Sequence, residues 1–522
     1  MFSTILSGAL QGVKAYFVQV EVDVSSGLPT FQMVGYLRGE VREARERVQV
    51  ALKNAGFHIP AMRITVNLSP ADIKKGGTAF DLPIAVGILC ALGYFDKEAV
   101  ENTLFIGELG LDGDIKAVRG VLPIIKKAAA ENIGQCIVPV SNGVEGAVIP
   151  GTMVRGVKTI GQLIQYLQAS VDDRDYIMPS VKIDSCALIG KEGEDDIPDF
   201  ADVQGQEAAR RAAEIAAAGF HNLLMSGPPG AGKSMIASRI PGIIPALTME
   251  ESLEISDIYS VLGMLGENQA IITRRPFQSP HHTITQSALI GGGAIPRPGM
   301  ISLAHRGVLF LDELPEFGRH ILDCMRQPLE EHKVHLAKGY GNVTYPADFM
   351  LVCAMNPCPC GHFPNLNRCI CTETEVKRYL NKVSGPILDR IDICVELLPV
   401  KIRSLSSPHK EESSEIIRSR VMQARKIQKI RYQGTRYHFN GDIGAEDITK
   451  YCVLGESDQI LLNQACESLD FSARAYHRIL KVARTIADLA GEVRIGKEHL
   501  TEAIGYRMMD NQCYNSHLRR RQ

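Results

Sequence analysis

A chain of 522 residues, 45% hydrophobic and 22% charged, is longer than one hydrophobic core grows, so two to four domains are expected. Its 57 Lys and Arg against 59 Asp and Glu leave a formal net charge of −2, which excludes a generally basic nucleic-acid coat and leaves room only for local basic surfaces. Thirteen cysteines, an odd number in a chain that does not read as secreted, argue against a disulfide framework and for reduced thiols with a metal site among them.

The opening "MFSTILSGALQGVKAYFVQVEV" lacks a basic stretch ahead of an unbroken apolar core, so it does not read as a signal peptide. The longest apolar run, "FDLPIAVGILCALGYF" from Phe80, carries Asp81 and Pro83 and falls short of a membrane span. A cytosolic chain without a membrane partner is the expectation. Across residues 1–170, strand-like alternation in "YFVQVEVDV" and "RITVNLS" gives way to helical periodicity in "GEVREARERVQVALKNAG", an α+β pattern. Residues 171–202 turn acidic and Pro-containing without a helical period and read as a linker. From 203 to 400 strands and helices alternate as in an α/β fold with a parallel sheet. From 401 to 522 the pattern is almost purely helical, with apolar residues at three- and four-residue spacing in "SSEIIRSRVMQARKIQKIRY" and "SARAYHRILKVARTIADLA".

Within the third region, "NLLMSGPPGAGKSMIASRI" reads as a short apolar strand, a Gly-rich loop and a helix. The loop, Gly227, Pro228, Pro229, Gly230, Ala231, Gly232, Lys233 and Ser234, fits G-x-x-x-x-G-K-[ST]. Its backbone N–H groups and the helix dipole suit the phosphates of ATP, Lys233 suits the β- and γ-phosphates, and Ser234 suits Mg²⁺. "GVLFLDELPEF" is a buried-type strand ending in two acids: Asp312 is placed to hold the Mg²⁺ shell and Glu313 to polarise the attacking water. A third strand, "DFMLVCAMN", ends in Asn356, whose amide suits the same water or the γ-phosphate. "GPILDRIDI" offers Arg390, and "FSARAYHRI" offers Arg474 and Arg478 near a helix start.

Two residues beyond Asn356 begins "CPCGHFPNLNRCIC". Cys358, Cys360, Cys369 and Cys371, spaced C-x-C-x8-C-x-C, supply four thiolates, enough for a closed tetrahedral Zn²⁺ site. Iron–sulfur ligation is disfavoured because no cluster spacing is matched. Reduced structural thiols are the alternative, and His362 is a substitute ligand. With every position filled by protein, such a metal is structural and holds Asn356 rigid.

"GPPGAGKS", "LFLDE", Asn356, "LDRIDI" and "SAR" stand in the order of phosphate loop, metal-binding acids, first sensor, arginine finger and second sensor of the AAA+ ATPases, which this chain resembles. "RPFQSPHHTITQSALIGGG", "PRPGMISLAHRGVLFLDELPEF", "AMNPCPCG" and "VARTIADL" further resemble the magnesium-chelatase-like YifB/ComM family over essentially the whole chain. The resemblance implies an AAA+ core with a C-terminal helical lid, Arg390 as a finger acting in trans, Arg474 as the second sensor with Arg478 as its alternative, and a ring of copies of this chain, a hexamer. It also implies a helix-2 insertion over Arg274–Pro298 and a hairpin in "KVHLAKGYGNVTYPADF" that grips DNA in related motors. There Lys338 is a phosphate-contact candidate and Tyr340 a stacking candidate.

"LSPADIKKGGTAFDLPIAVGIL" and "GELGLDGDIKAVRGVLPIIKKAAAENIGQCIVP" resemble the proteolytic domain of Lon, which implies a ribosomal-protein-S5-like fold for residues 1–170. Ala79 stands where that family has its serine nucleophile and Leu122 where it has the activating lysine. Neither side chain performs acyl chemistry. Thr78, Lys116, Lys126 and Lys127 are the nearby substitutes, and the expectation is an inactive domain serving assembly or docking. The whole reads as a Mg²⁺-dependent ATPase that moves on single-stranded or branched DNA. The alternative is a chelatase-type ATPase that remodels a protein partner.

Overall fold

The computed structural model of the chain describes residues 1–73, 75–184, 198–266, 269–293, 296–338, 341–363, 365, 367–399 and 411–507. Its first half opens with β1 (Phe2–Gln11), β2 (Lys14–Ser25), β3 (Thr30–Val34), α1 (Gly39–Asn54), β4 (Arg63–Ser69) and α2 (Asp81–Ala91). There follow β5 (Thr103–Phe105), a ribbon of β6 (Glu108–Leu109) and β7 (Ile115–Lys116), α3 (Val121–Ala130), β8 (Gln135–Pro139), α4 (Gly143–Ala147), β9 (Met153–Val157) and α5 (Ile160–Gln168). The main sheet has the order β3-β4-β2-β1-β5-β8-β9. Alternation in β2 buries Val18, Val20, Val22 and Val24, and these pack under α2. The apolar run from Phe80 is thus a core helix, buried along its whole length. Asp81 within it accepts from Arg47 Nε (2.7 Å) and Nη2 (2.9 Å) of α1. Burial pushes the Asp81 carboxyl up to about 6 against the opposing pull of Arg47.

The acidic linker expected over 171–202 is partly folded. A helix, α6 (Val171–Ile177), continues this half, Met178 is fully buried in its core, and the Val181 N–H reaches the Val154 carbonyl. At the far end Phe200 is buried in the core of the second half. Residues 185–197 lie outside the described residues.

In the second half α7 (Glu207–Gly219) precedes β10 (Leu223–Ser226), α8 (Lys233–Ile243), α9 (Met249–Leu262), β11 (Phe277–Gln278), α10 (Gln286–Ile290), β12 (Gly291–Gly292), β13 (Arg297–Pro298), α11 (Met300–Leu303) and β14 (Val308–Leu311). Next come α12 (Arg319–Cys324), α13 (Arg326–Glu331), β15 (Lys333–Lys338), β16 (Gly341–Pro346), β17 (Met350–Met355), α14 (Glu373–Leu380), α15 (Gly385–Leu388) and β18 (Ile393–Glu396). The parallel sheet has the order β11-β14-β17-β10-β18. Its strands are apolar on both faces, as covered parallel strands must be. Within the span expected as an insertion, Arg274–Pro298, Phe277 and Gln278 form β11 of this sheet, and α10 and the β12–β13 ribbon follow.

The C-terminal helices are α16 (Ser414–Arg431), α17 (Ile448–Tyr451), α18 (Glu456–Leu469), α19 (Ala473–Leu489) and α20 (497–507). Val421 and Ala424 of α16 and Ile479 and Ala483 of α19 share one core with α7 and α8, so this helical region closes one face of the sheet. The two halves meet at α9. The Gly120 N–H donates to the Ser260 carbonyl (2.9 Å), Lys126 pairs with Asp257 (3.1 Å), and Glu145 accepts from the Ser260 hydroxyl. The β1–β2 turn also touches β16: a Cβ on Gly12 would lie 2.5 Å from Val343 Cγ1. No helix among the described residues is long and apolar enough to cross a membrane.

Candidate functional site

The parallel register sets the C-terminal ends of β10, β14 and β17 side by side, pairing Ser226 with Met355 and Leu311 with Cys353. Ligands of open α/β sheets bind at such strand ends. The loop from Gly227 to Gly232 leaves β10 there and enters α8 at Lys233. Gly227 admits no side chain, because a Cβ would meet the Leu397 carbonyl oxygen at 2.7 Å. Gly230 and Gly232 take left-handed φ values of 75° and 90° with open space on their Cβ side. That open, amide-lined turn at a helix N-terminus fits a phosphate chain.

The Lys233 ammonium donates to the carbonyls of Gly227 (2.6 Å) and Pro228 (3.1 Å) and to Asn356 Oδ1 (3.0 Å). Burial lowers its pKa, opposed by Asp312 and Glu313. The Ser234 hydroxyl donates to Asp312 Oδ2 (2.8 Å), and the Glu313 N–H donates to Asp312 Oδ1 (2.9 Å). Ser234 and Asp312 thus present oxygens toward one point, a donor set suited to Mg²⁺. Glu313 stands at φ 53°, a left-handed conformation in a residue without glycine's freedom. Lys233, Ser234, Asp312, Glu313 and Asn356 are therefore brought together.

Two contributors escaped sequence reasoning. His282 Nδ1 lies 3.5 Å from Glu313 Oε2, its ring 4.0 Å from that of His281. Gln206 Nε2 donates to the Ala231 carbonyl inside the loop (3.1 Å) and to the Leu398 carbonyl (2.6 Å). The "PHHT" phrase was a visible signal for His282, whereas nothing local marked Gln206.

The arginines stand apart from this cluster in their pairings. Arg390 is mostly buried, donating to the Pro386 carbonyl (2.5 Å) and pairing with Glu330. Burial lowers its pKa, and the nearby Arg474, Arg326 and Arg478 add to the lowering. Arg478 is committed to the buried Asp392, which also accepts from the Asn222 N–H. Arg474 is exposed and only loosely paired to Asp389 at 3.5 Å, so of the two helix-start arginines it is the one at liberty to meet a ligand.

Directly after Asn356 the chain enters the cysteine turn. The sulfurs of Cys358, Cys360, Cys369 and Cys371 all lie within 4.8 Å of one another, with Cys358 fully buried. The Phe363 N–H points at Cys358 Sγ from 3.4 Å. A closed four-thiolate set with this spread fits a tetrahedral Zn²⁺. His362 is exposed and outside the group. The cysteines among the described residues are all free thiols.

The expected hairpin is formed by β15 and β16, with Lys338 paired to Gly341. Tyr340 and the Lys338 side chain lie outside what is described. In the first half, Leu122 is fully buried and Ala79 packs at the edge of the same apolar cluster. Thr78 hydrogen-bonds Glu108, Lys126 pairs with Asp257, and Lys127 pairs with Glu131 (3.2 Å). Lys116 pairs by backbone with Glu108. No hydroxyl–lysine dyad is assembled among these groups.

Comparison with known proteins gives three family matches in chain order: "Subunit ChlI of Mg-chelatase" over residues 20–142, "Magnesium chelatase, subunit ChlI" over 199–405, and "Magnesium chelatase, subunit ChlI C-terminal" over 411–507. The competence protein ComM of Haemophilus influenzae is 41% identical over 509 residues, 97% of each chain. YifB of Salmonella typhimurium is 42% identical over 507 residues, 96% of each chain. YifB of Escherichia coli is 41% identical over 510 residues, 97% of each chain.

Proposed function

The chain belongs to the YifB/ComM magnesium-chelatase-like family of AAA+ ATPases, and from that premise we propose that it is a Mg²⁺-dependent ATPase whose ring, a hexamer, moves on DNA and promotes branch migration during recombination or natural transformation. The observation that carries hydrolysis is the convergence of Lys233, Ser234, Asp312, Glu313 and Asn356 at three adjacent strand ends. Mg²⁺-ATP supplies the scissile phosphoanhydride and the charge to be neutralised. Lys233 would exchange its two carbonyl partners for phosphate oxygens, and Ser234 and Asp312 would hold Mg²⁺, which would neutralise phosphate charge. Glu313 polarises the water and Asn356 orients it. Arg390 leaves Glu330 to reach the site of the adjoining subunit, and Arg474 meets the γ-phosphate from the helical region.

The DNA substrate is supported by the antiparallel β15–β16 pair, whose sequence carries the candidates Lys338 and Tyr340, and by the name of the Haemophilus relative, a competence protein. The four cysteines are read as a structural Zn²⁺ site. A second reading, remodelling of a protein partner, is favoured by the chelatase-subunit matches that run through most of the chain. Steady-state ATPase rates with and without single-stranded, duplex and four-way-junction DNA, at two salt concentrations, separate the two. Salt-sensitive stimulation supports the motor; a rate indifferent to every DNA transfers the weight to remodelling.

A further inference from the structure

The segment that ends β17 and enters the cysteine turn grips the phosphate loop at three points. The Gly227 N–H donates to the Met355 carbonyl (3.2 Å). The Lys233 ammonium donates to Asn356 Oδ1 (3.0 Å). The third contact comes from inside the cysteine turn itself. Gly361, at φ 79°, lies so close to Pro229 that a Cβ there would overlap its Cδ and stand 2.9 Å from its Cγ. The turn is tight: the Gly361 N–H closes onto the Cys358 carbonyl (3.0 Å), and Cys358 is fully buried among the other sulfurs. One wall of the phosphate loop is therefore the backbone of a four-thiol turn.

We propose that metal binding by Cys358, Cys360, Cys369 and Cys371 is linked to nucleotide binding at the phosphate loop, the metal-loaded turn holding Pro229 in its phosphate-receiving position through Gly361. The inference rests on the Zn²⁺ reading given above and adds that the metal sets nucleotide affinity as well as local stability. Four sulfurs within 4.8 Å stay gathered as thiolates only around a cation. Without it the turn opens, Gly361 leaves Pro229, and the loop loses a wall. By reciprocity, bound nucleotide retains the metal by the same factor.

The test uses the full-length protein in three states: metal-loaded, stripped with a zinc-selective chelator that leaves Mg²⁺ in solution, and reloaded with Zn²⁺. Metal is counted by elemental analysis and affinity is read with a fluorescent ADP analogue. Stripping is expected to raise the Kd about tenfold, reloading to restore it, and saturating ADP to tighten Zn²⁺ binding, read by equilibrium competition with the chelator, by the same factor. Gly361→Ala, which keeps every thiol and presses on Pro229, is expected to retain one Zn²⁺ per chain while weakening ADP binding; it decides the matter should stripped protein unfold. Protein that neither carries nor takes up Zn²⁺ overturns the metal reading and this inference together. Stoichiometric Zn²⁺ with an ADP affinity unmoved by stripping or by Gly361→Ala overturns the inference alone.

Discussion

The Lys233 ammonium and the Asn356 amide oxygen are 3.0 Å apart, so the phosphate loop and the end of β17 share a side-chain hydrogen bond. Lys233→Ala removes the cation from both. ATP affinity is expected to fall by about 100-fold or more, the scale of a lost charge-assisted bond in a partly buried site. Asn356→Ala is expected to bind ATP within a few-fold of wild type and to turn it over far more slowly. Equilibrium titration and single-turnover hydrolysis check the pair; tight ATP binding by Lys233→Ala would remove the loop from its role.

Glu313 holds its carboxylate beyond the end of β14, with the backbone N–H anchored to Asp312. Glu313→Gln keeps shape and anchor but loses basicity, so binding is expected to persist while turnover drops about 10²- to 10⁴-fold. Normal turnover in a filter-binding-competent variant contradicts the assignment.

Arg390 is tied to Glu330 within its own chain, so action on a neighbour requires that pair to open. Arg390→Ala is expected to lower kcat about 10³-fold with little change in ATP binding. Mixing Arg390→Ala with Lys233→Ala tests the geometry further. An intact loop from one variant then faces an intact arginine from the other, and part of the activity is expected to return. No recovery in mixed oligomers speaks for a finger acting in cis.

Glu254 of α9 accepts from His305 and pairs with Arg306, and these hold its carboxyl down at about 2. A depressed carboxyl stabilises the fold above its ordinary titration range, and that contribution is lost as pH falls toward the folded value. Glu254→Gln is therefore expected to lower Tm at neutral pH, and the gap to wild type to narrow from about pH 5 downward. A gap constant across that window assigns the loss to packing instead.

The phosphate loop, the paired acids, Asn356 and the thiol set were legible because each is a short local pattern at a strand end. The pairing of the strands was less so: β11 is two residues long, too short to show a period, and its place in the sheet depends on β14 thirty residues away. α6 was read as linker because none of its residues is buried, leaving no apolar stripe to see. Gly361 against Pro229 and Gly12 against Val343 are contacts between distant parts of the chain, and no spacing rule reports them. The gathering of the four thiols was legible from their spacing, but the contact of their turn with the phosphate loop was not.

The first half of the chain, with Ala79 and Leu122 where the Lon resemblance implies a serine and a lysine, covers α9 with apolar surface, burying Ile271 against Val148 and packing Leu253 beside them. An ATPase half expressed by itself would turn Ile271 and Leu253 out to water. Its solubility should suffer before its nucleotide chemistry does. The first half is thus expected to serve the ATPase half as upholstery, and its loss to surface in the cell first as aggregated protein.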